Sequence, residues 1–181
     1  KALKVKKRRA SIKDNANENF LAFVKTMWPD FVQGSHHRHI SDKFDKLARG
    51  EITRLIVNMP PRHTKSEFAS YLFPAWFIGK YPKKKIMQVS HNAELASRFG
   101  SKVRNLMDTK EYKQVFGDVK LREDSKAKGR WETNHGGEYF AAGVGGSITG
   151  RGADLLIIDD PHTEQDSMSD KAMDRAYDWY S

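Results

Sequence analysis

Two short runs in this 181-residue chain, Lys65-Ser66 and Asp159-Asp160, carry residue types that could do chemistry together. A lysine and a serine at the opening of a helix can receive a polyphosphate and its metal ion. The ammonium faces the outer phosphates, the hydroxyl ligates Mg2+, and the N–H groups of the preceding loop turn inward. The loop Met59-Pro60-Pro61-Arg62-His63-Thr64 departs from the G-x-x-x-x-G-K-[ST] pattern, because Met59 and Thr64 stand where its two glycines would be. Taken alone, the stretch reads equally well as a strand-to-helix connection with a surface Lys-Ser. The acids tip the balance. Leu155-Leu156-Ile157-Ile158 runs straight into Asp159 and Asp160, and open α/β sheets place ligands at the carboxyl ends of such strands. Asp159 could there share a Mg2+ ion with Ser66, whereas two solvated acids capping a strand is the plainer alternative.

Several elements must position these groups. Leu55-Ile56-Val57-Asn58 predicts a short buried strand leading into the loop. A helix opens at Ser66 and carries Phe68, Tyr71 and Leu72 until Pro74 interrupts it, and Trp76, Phe77 and Ile78 continue an apolar face to Gly79. Ile86 to Ser90 predicts a strand, and Asn92 to Met107 a helix with Leu95, Phe99, Val103 and Leu106 on one stripe. Four consecutive apolar residues between Gly152-Ala153-Asp154 and Pro161 suit a parallel strand covered on both faces. This alternation predicts an α/β fold with a mostly parallel central sheet flanked by helices.

Upstream, Phe20, Phe23, Val24 and Met27 mark a helix over Asn17 to Trp28 that Pro29 stops, and a second helix, Ile40 to Arg49, ends at Gly50. His36, His37 and His39 cluster, but with no cysteine and no acid set beside them they do not complete a tetrahedral metal site. Asp118 to Arg130 reads as an exposed loop, and Trp131-Glu132-Thr133 and Glu138 to Ala141 flank Asn134-His135-Gly136-Gly137 as a hairpin. Gly143, Gly145, Gly146, Gly150 and Gly152 surround Arg151 just before the acidic strand. That loop is either a flexible connection or a charge-stabilising or DNA-sensing element.

Composition narrows the classes. A formal charge of +9 and a pI of about 9.6 favour a polyanionic partner. Basic clusters at Lys4 to Arg9 and Lys83 to Lys85, with no base-reading motif, predict DNA binding that is independent of sequence and steeply salt-dependent. Absence of cysteine removes disulfide frameworks, and the longest nearly apolar run, Tyr71 to Ile78, is far short of a membrane span. Residues 1–16 are expected to form a basic mobile arm and residues 17–181 a single domain. With no initiating Met and a helical pattern still running from Ser169 to Ser181, the chain reads as a piece of a longer protein.

Together these residues resemble the ATPase domain of the large terminase subunit of tailed bacteriophages. The resemblance rests on His36-His37, Gly50-Glu51 with Arg54 to Val57, Pro60 to Glu67, Ser90 with Glu94-Leu95-Ala96, and above all Thr149 to Pro161. It implies a P-loop NTPase core that binds ATP and Mg2+. Pro60, Pro61, Arg62, His63, Thr64, Lys65, Ser66 and Glu67 would form the phosphate site, with Gln33, His36 and His37 where adenine recognition is expected. Ser66 and Asp159 would hold the metal, Asp160 would orient the attacking water, Arg62 would face the γ-phosphate, and Arg151 would act on a neighbouring subunit's nucleotide. The resemblance further implies double-stranded DNA, a portal protein and a small terminase subunit as partners, a ring homo-oligomer, and work in the cytoplasm of the infected bacterial host. The stretch that would carry nuclease activity lies beyond this chain, so cleavage is not expected. Two rivals remain: another P-loop nucleic-acid motor such as a helicase, which should unwind a duplex, and a non-hydrolysing DNA-binding or assembly module, which should not bind an ATP analogue.

Overall fold

The computed structural model describes residues 11–148 and 150–180. Its helices are α1 (residues 11–18), α2 (Phe20–Met27), α3 (Ser35–Ala48), a π-helix (Glu67–Leu72), α4 (Phe73–Lys80), α5 (Ala93–Met107), α6 (Lys110–Val115) and α7 (Asp170–Tyr180). The strands β1 (Lys85–Ser90), β2 (Leu121–Lys126), β3 (Arg130–Thr133), β4 (Glu138–Gly143) and β5 (Leu155–Ile158) form one sheet in the order β2-β3-β4-β1-β5.

The fold is α/β, and the sheet is mixed rather than mostly parallel. β1 runs parallel to both β4 and β5, but β2, β3 and β4 form an antiparallel meander. Turn chemistry explains the difference. Gly136 takes φ +85° in the Asn134–Gly137 turn, which reverses the chain at once and forbids a crossover between β3 and β4. β2 lies within the stretch expected to be a loop. Its exposed charges suit an edge strand, and Arg122 pairs with Asp124 at 2.6 Å and with Glu132 on β3 at 2.5 Å.

The residues of one sheet face, including Ile86, Tyr139, Leu155 and Ile157, join the main core with the helices. Phe20 is its hub, with ring centroids 5.3 Å from Phe44, 5.6 Å from Phe68 and Phe73, and 5.7 Å from Trp76. Trp76 donates its indole N–H to the carbonyl of Ala16 at 3.1 Å, which fastens α1 to α4. The first residues of the expected basic arm, 1–10, lie outside the described residues; 11–16 are helical and Ala16 is buried. Asp45 joins α2 to α3 by accepting the Phe20 N–H at 2.9 Å, and burial pushes its carboxyl above the usual range. Met87, Val89 and Ala142 form a smaller cluster on the opposite face with Val144, Ile148 and Trp179.

The strand expected at Leu55–Asn58 is not part of the sheet. Residues 54–60 have no regular structure; Leu55 and Val57 are half-buried and Ile56 is exposed. Leu55 and Val57 face Leu155 to Ile158 across a cleft of about 130 Å³. Alternating burial makes this an extended segment resting on the core without a hydrogen-bonded neighbour. β5 is therefore an edge strand, and it is not covered on both faces as expected: Leu156 and Ile158 are 42% and 39% exposed. No helix among the described residues is long and apolar enough to cross a membrane.

Candidate functional site

Asp159 and Asp160 follow directly from β5. The Asp159 N–H donates to Val89 and the Asp160 carbonyl accepts from the His91 N–H, so the acids leave the sheet at the carboxyl end of β1. Asp160 takes φ +47°, a left-handed conformation that costs an L-residue roughly 1–2 kcal/mol. The two carboxylates emerge into different surroundings. Asp159 is 6% exposed, whereas the Asp160 side chain is 57% exposed.

Lys65 and Ser66 open the helix that continues as the π-helix. The Lys65 ammonium reaches both acids, at 2.5 Å from Asp160 Oδ1 and 3.3 Å from Asp159 Oδ1. Burial alone would lower its pKa. The Asp160 hydrogen bond and the charges of Asp159 and Asp160 outweigh that and hold it above its ordinary value. Lys65 thus meets Asp159 and Asp160, which follow it by 94 and 95 residues, at one point. The second Asp159 oxygen, Oδ2, accepts the Ser70 hydroxyl at 2.7 Å, and the Gln88 amide donates to Ser70 at 3.2 Å.

The loop is built without glycine, at a cost in backbone strain. Arg62 and Thr64 both have positive φ, +62° and +65°, which is unusual above all for β-branched Thr64. His37 supports that conformation. Its Nδ1 accepts the Gly34 N–H at 2.8 Å, so Nε2 carries the proton and donates to Thr64 Oγ1 at 2.8 Å; Thr64 in turn donates to the His63 carbonyl at 2.5 Å. The His37 ring stacks on Phe68 at 5.0 Å and meets Phe31 edge-on at 4.7 Å. Burial, helped by His36 and His63, lowers its pKa and keeps it neutral.

A depressed histidine pKa has a definite sign in stability. The contribution is complete above the unfolded value of about 6.5 and is lost as pH falls below it, at no more than about 1.4 kcal/mol per pH unit. The melting temperature should therefore drop between pH 7 and 5.5. In His37→Gln, which cannot take up the proton, the drop should be smaller. An equal drop in both proteins would show that His37 is not the group responsible.

The other expected site residues divide. Arg62 is exposed, with no hydrogen bond or ion pair among the described residues, and Pro60 and Pro61 line the exposed turn, where the Pro61 carbonyl meets the His63 ring at 2.9 Å. Ser66 is half-buried at the helix start, and Gln33 is half-buried before α3. The His36 ring lies 3.8 Å from His37 and 5.8 Å from His63. Glu67 turns away from the loop and pairs with Lys102 on α5 at 2.6 Å.

Arg151 is elsewhere. Its guanidinium sits 4.0 Å from the Phe140 ring centroid and 3.4 Å from Glu138. Glu138 opens β4 opposite Lys85, whereas Ile158 lies opposite Val89. Four residues of strand, roughly 13 Å, separate those levels. Arg151 thus stands at the opposite end of the sheet from Lys65 and the acids.

Among the described residues no group of three or more histidine, cysteine or acidic side chains forms a metal site by itself, so a Mg2+ ion here would need a phosphate ligand as well. Asp159 and Ser66 offer hard oxygen ligands, one carboxylate oxygen of Asp159 is fixed and the other already faces a cation, the Lys65 ammonium. Sequence reasoning missed Ser70 and Gln88. Their signal was faint: a polar residue inside Phe68-Ala69-Ser70-Tyr71-Leu72 and another inside Ile86-Met87-Gln88-Val89.

The chain is similar to the large terminase subunit of Enterobacteria phage T3, with 24% identity over 162 residues. That alignment covers 88% of this chain but 28% of the relative, so the chain spans little more than a quarter of the protein it matches. No family model matches the chain, and no solved structure does.

Proposed function

We propose that this chain is a Mg2+-dependent ATP-hydrolysing domain of a P-loop type that helps to drive double-stranded DNA into a viral procapsid. The observation that carries the reading is the convergence of Lys65 on Asp159 and Asp160 at the carboxyl end of β5, beside a strained loop that opens a helix. The likeness to a phage terminase large subunit supports it independently.

Each residue then has a task. Lys65 transfers its ammonium from the acids to the outer phosphates, and loop N–H groups after Pro61 line the phosphate site. Ser66 and Asp159 would hold Mg2+, which neutralises charge on the phosphates when bound. Asp160, exposed and released once the Lys65 ammonium moves to the phosphates, orients the water that attacks the γ-phosphorus as ADP departs, and Arg62 faces the same phosphate. His37 holds the loop from beneath through Thr64, a task different from the expected contact with adenine.

Asp159→Asn should weaken Mg2+-dependent nucleotide binding, and Asp160→Asn should keep binding but lose turnover. Calorimetry paired with a phosphate-release assay separates the two, and exchanged phenotypes would reverse the assigned roles. DNA, a portal protein, a small terminase subunit and neighbouring copies in a ring are the proposed partners, in the cytoplasm of an infected bacterium. The charge of +9 suits the DNA contact.

A further inference from the structure

We infer that Ser70 and Gln88 are positioning residues that fix Asp159 as a ligand for the metal, an inference that rests on the nucleotide reading above. Both side chains are fully buried, Ser70 on the π-helix and Gln88 in the middle of β1, between Ala141 of β4 and Ile157 of β5. Proton bookkeeping fixes the direction of the chain. A carboxylate only accepts, so the single Ser70 hydroxyl hydrogen goes to Asp159 Oδ2, and Ser70 must itself accept from the Gln88 amide. A flipped Gln88 would set its carbonyl against a hydroxyl with no hydrogen left to give. Asp159 is thereby held by one oxygen and presents the other, Oδ1, toward Lys65.

Packing alone does not account for this arrangement. Gln88 Oε1 is buried with no hydrogen-bond partner, a desolvation loss that an aliphatic side chain of the same size would avoid. The local helix geometry points the same way. An α-helix broken by a π turn carries one additional residue per turn, and such turns occur often at functional sites. Here the π turn includes Ser70 and links the helix opened by Lys65 and Ser66 to the strand that supplies the acids. Partners that orient a metal ligand typically change metal affinity 10–100-fold when removed.

The test uses Mn2+ binding followed by electron paramagnetic resonance, and calorimetry of a nonhydrolysable ATP analogue in Mg2+ and in EDTA. Ser70→Ala should weaken the metal-dependent part of binding by about 10–100-fold and leave binding in EDTA unchanged. Gln88→Met keeps the volume and removes the orphaned carbonyl. It should melt no lower than wild type and still lose metal affinity, a combination that a purely structural role does not produce. Wild-type metal affinity in both folded variants would overturn the inference while leaving the nucleotide reading intact. A wild-type chain that binds neither Mn2+ nor the analogue would overturn both.

Discussion

Replacing Lys65 by alanine is expected to slow ATP hydrolysis by roughly 10²–10³-fold, the scale seen when one preorganised charge or donor is removed from a developing anion. The fold should survive. Lys65 is 29% exposed and its nearer partner Asp160 is 57% exposed, so solvent screens that pair and its loss costs little, whereas the 6%-exposed Asp159 loses a neighbouring cation. Asp159 keeps its hydrogen bond from Ser70 when the ammonium is gone. The variant should therefore melt close to wild type and fail in turnover. A folded Lys65→Ala protein with unchanged turnover would remove this residue from the site.

The larger effect is expected from Arg151, and only in an assembly. An arginine supplied across an interface is worth about 10³–10⁵ in rate. In this chain Arg151 rests on Phe140 and Glu138 at the far end of the sheet, away from Lys65 and the acids of the same chain. Its ion pair with Glu138 is long, at 3.4 Å, and partly solvated, which makes release inexpensive. Specific activity should rise with protein concentration as copies associate, and Arg151→Ala should abolish that rise with nucleotide affinity nearly intact. Mixing Arg151→Ala with Lys65→Ala, each inactive alone, should restore activity at interfaces that pair an intact loop with an intact arginine. Demonstrated co-assembly without recovery would assign Arg151 a structural role on Glu138.

Periodicity made much of this fold legible. β1, α5, the β3–β4 hairpin and β5 all follow from apolar spacing and turn residues, and the acids stand at a strand end as expected; Lys65 meets them although the segment before its loop is not a strand of the sheet. Other features depend on partners that spacing does not encode. Leu55 to Val57 has the apolar character of a strand, but a strand also needs a hydrogen-bonded neighbour, and here the segment lies across a cleft from β5. Arg122-Glu123-Asp124 looks like a loop because an edge strand facing water has no need of apolar residues. Ser70 and Gln88 gain meaning only when a π turn brings Ser70 to Asp159 and a strand brings Gln88 to Ser70. Thr64 in place of glycine becomes intelligible only beside His37, 27 residues earlier in the chain.

Calorimetric titration of the wild-type chain with a nonhydrolysable ATP analogue, in Mg2+ and again in EDTA, shows whether Lys65 and the two acids form a nucleotide site. Saturable binding is expected at one site per chain, tighter in Mg2+ than in EDTA and weakened by Lys65→Ala. A folded wild-type chain that gives no saturable heat with the analogue, with or without Mg2+, would contradict a nucleotide site there.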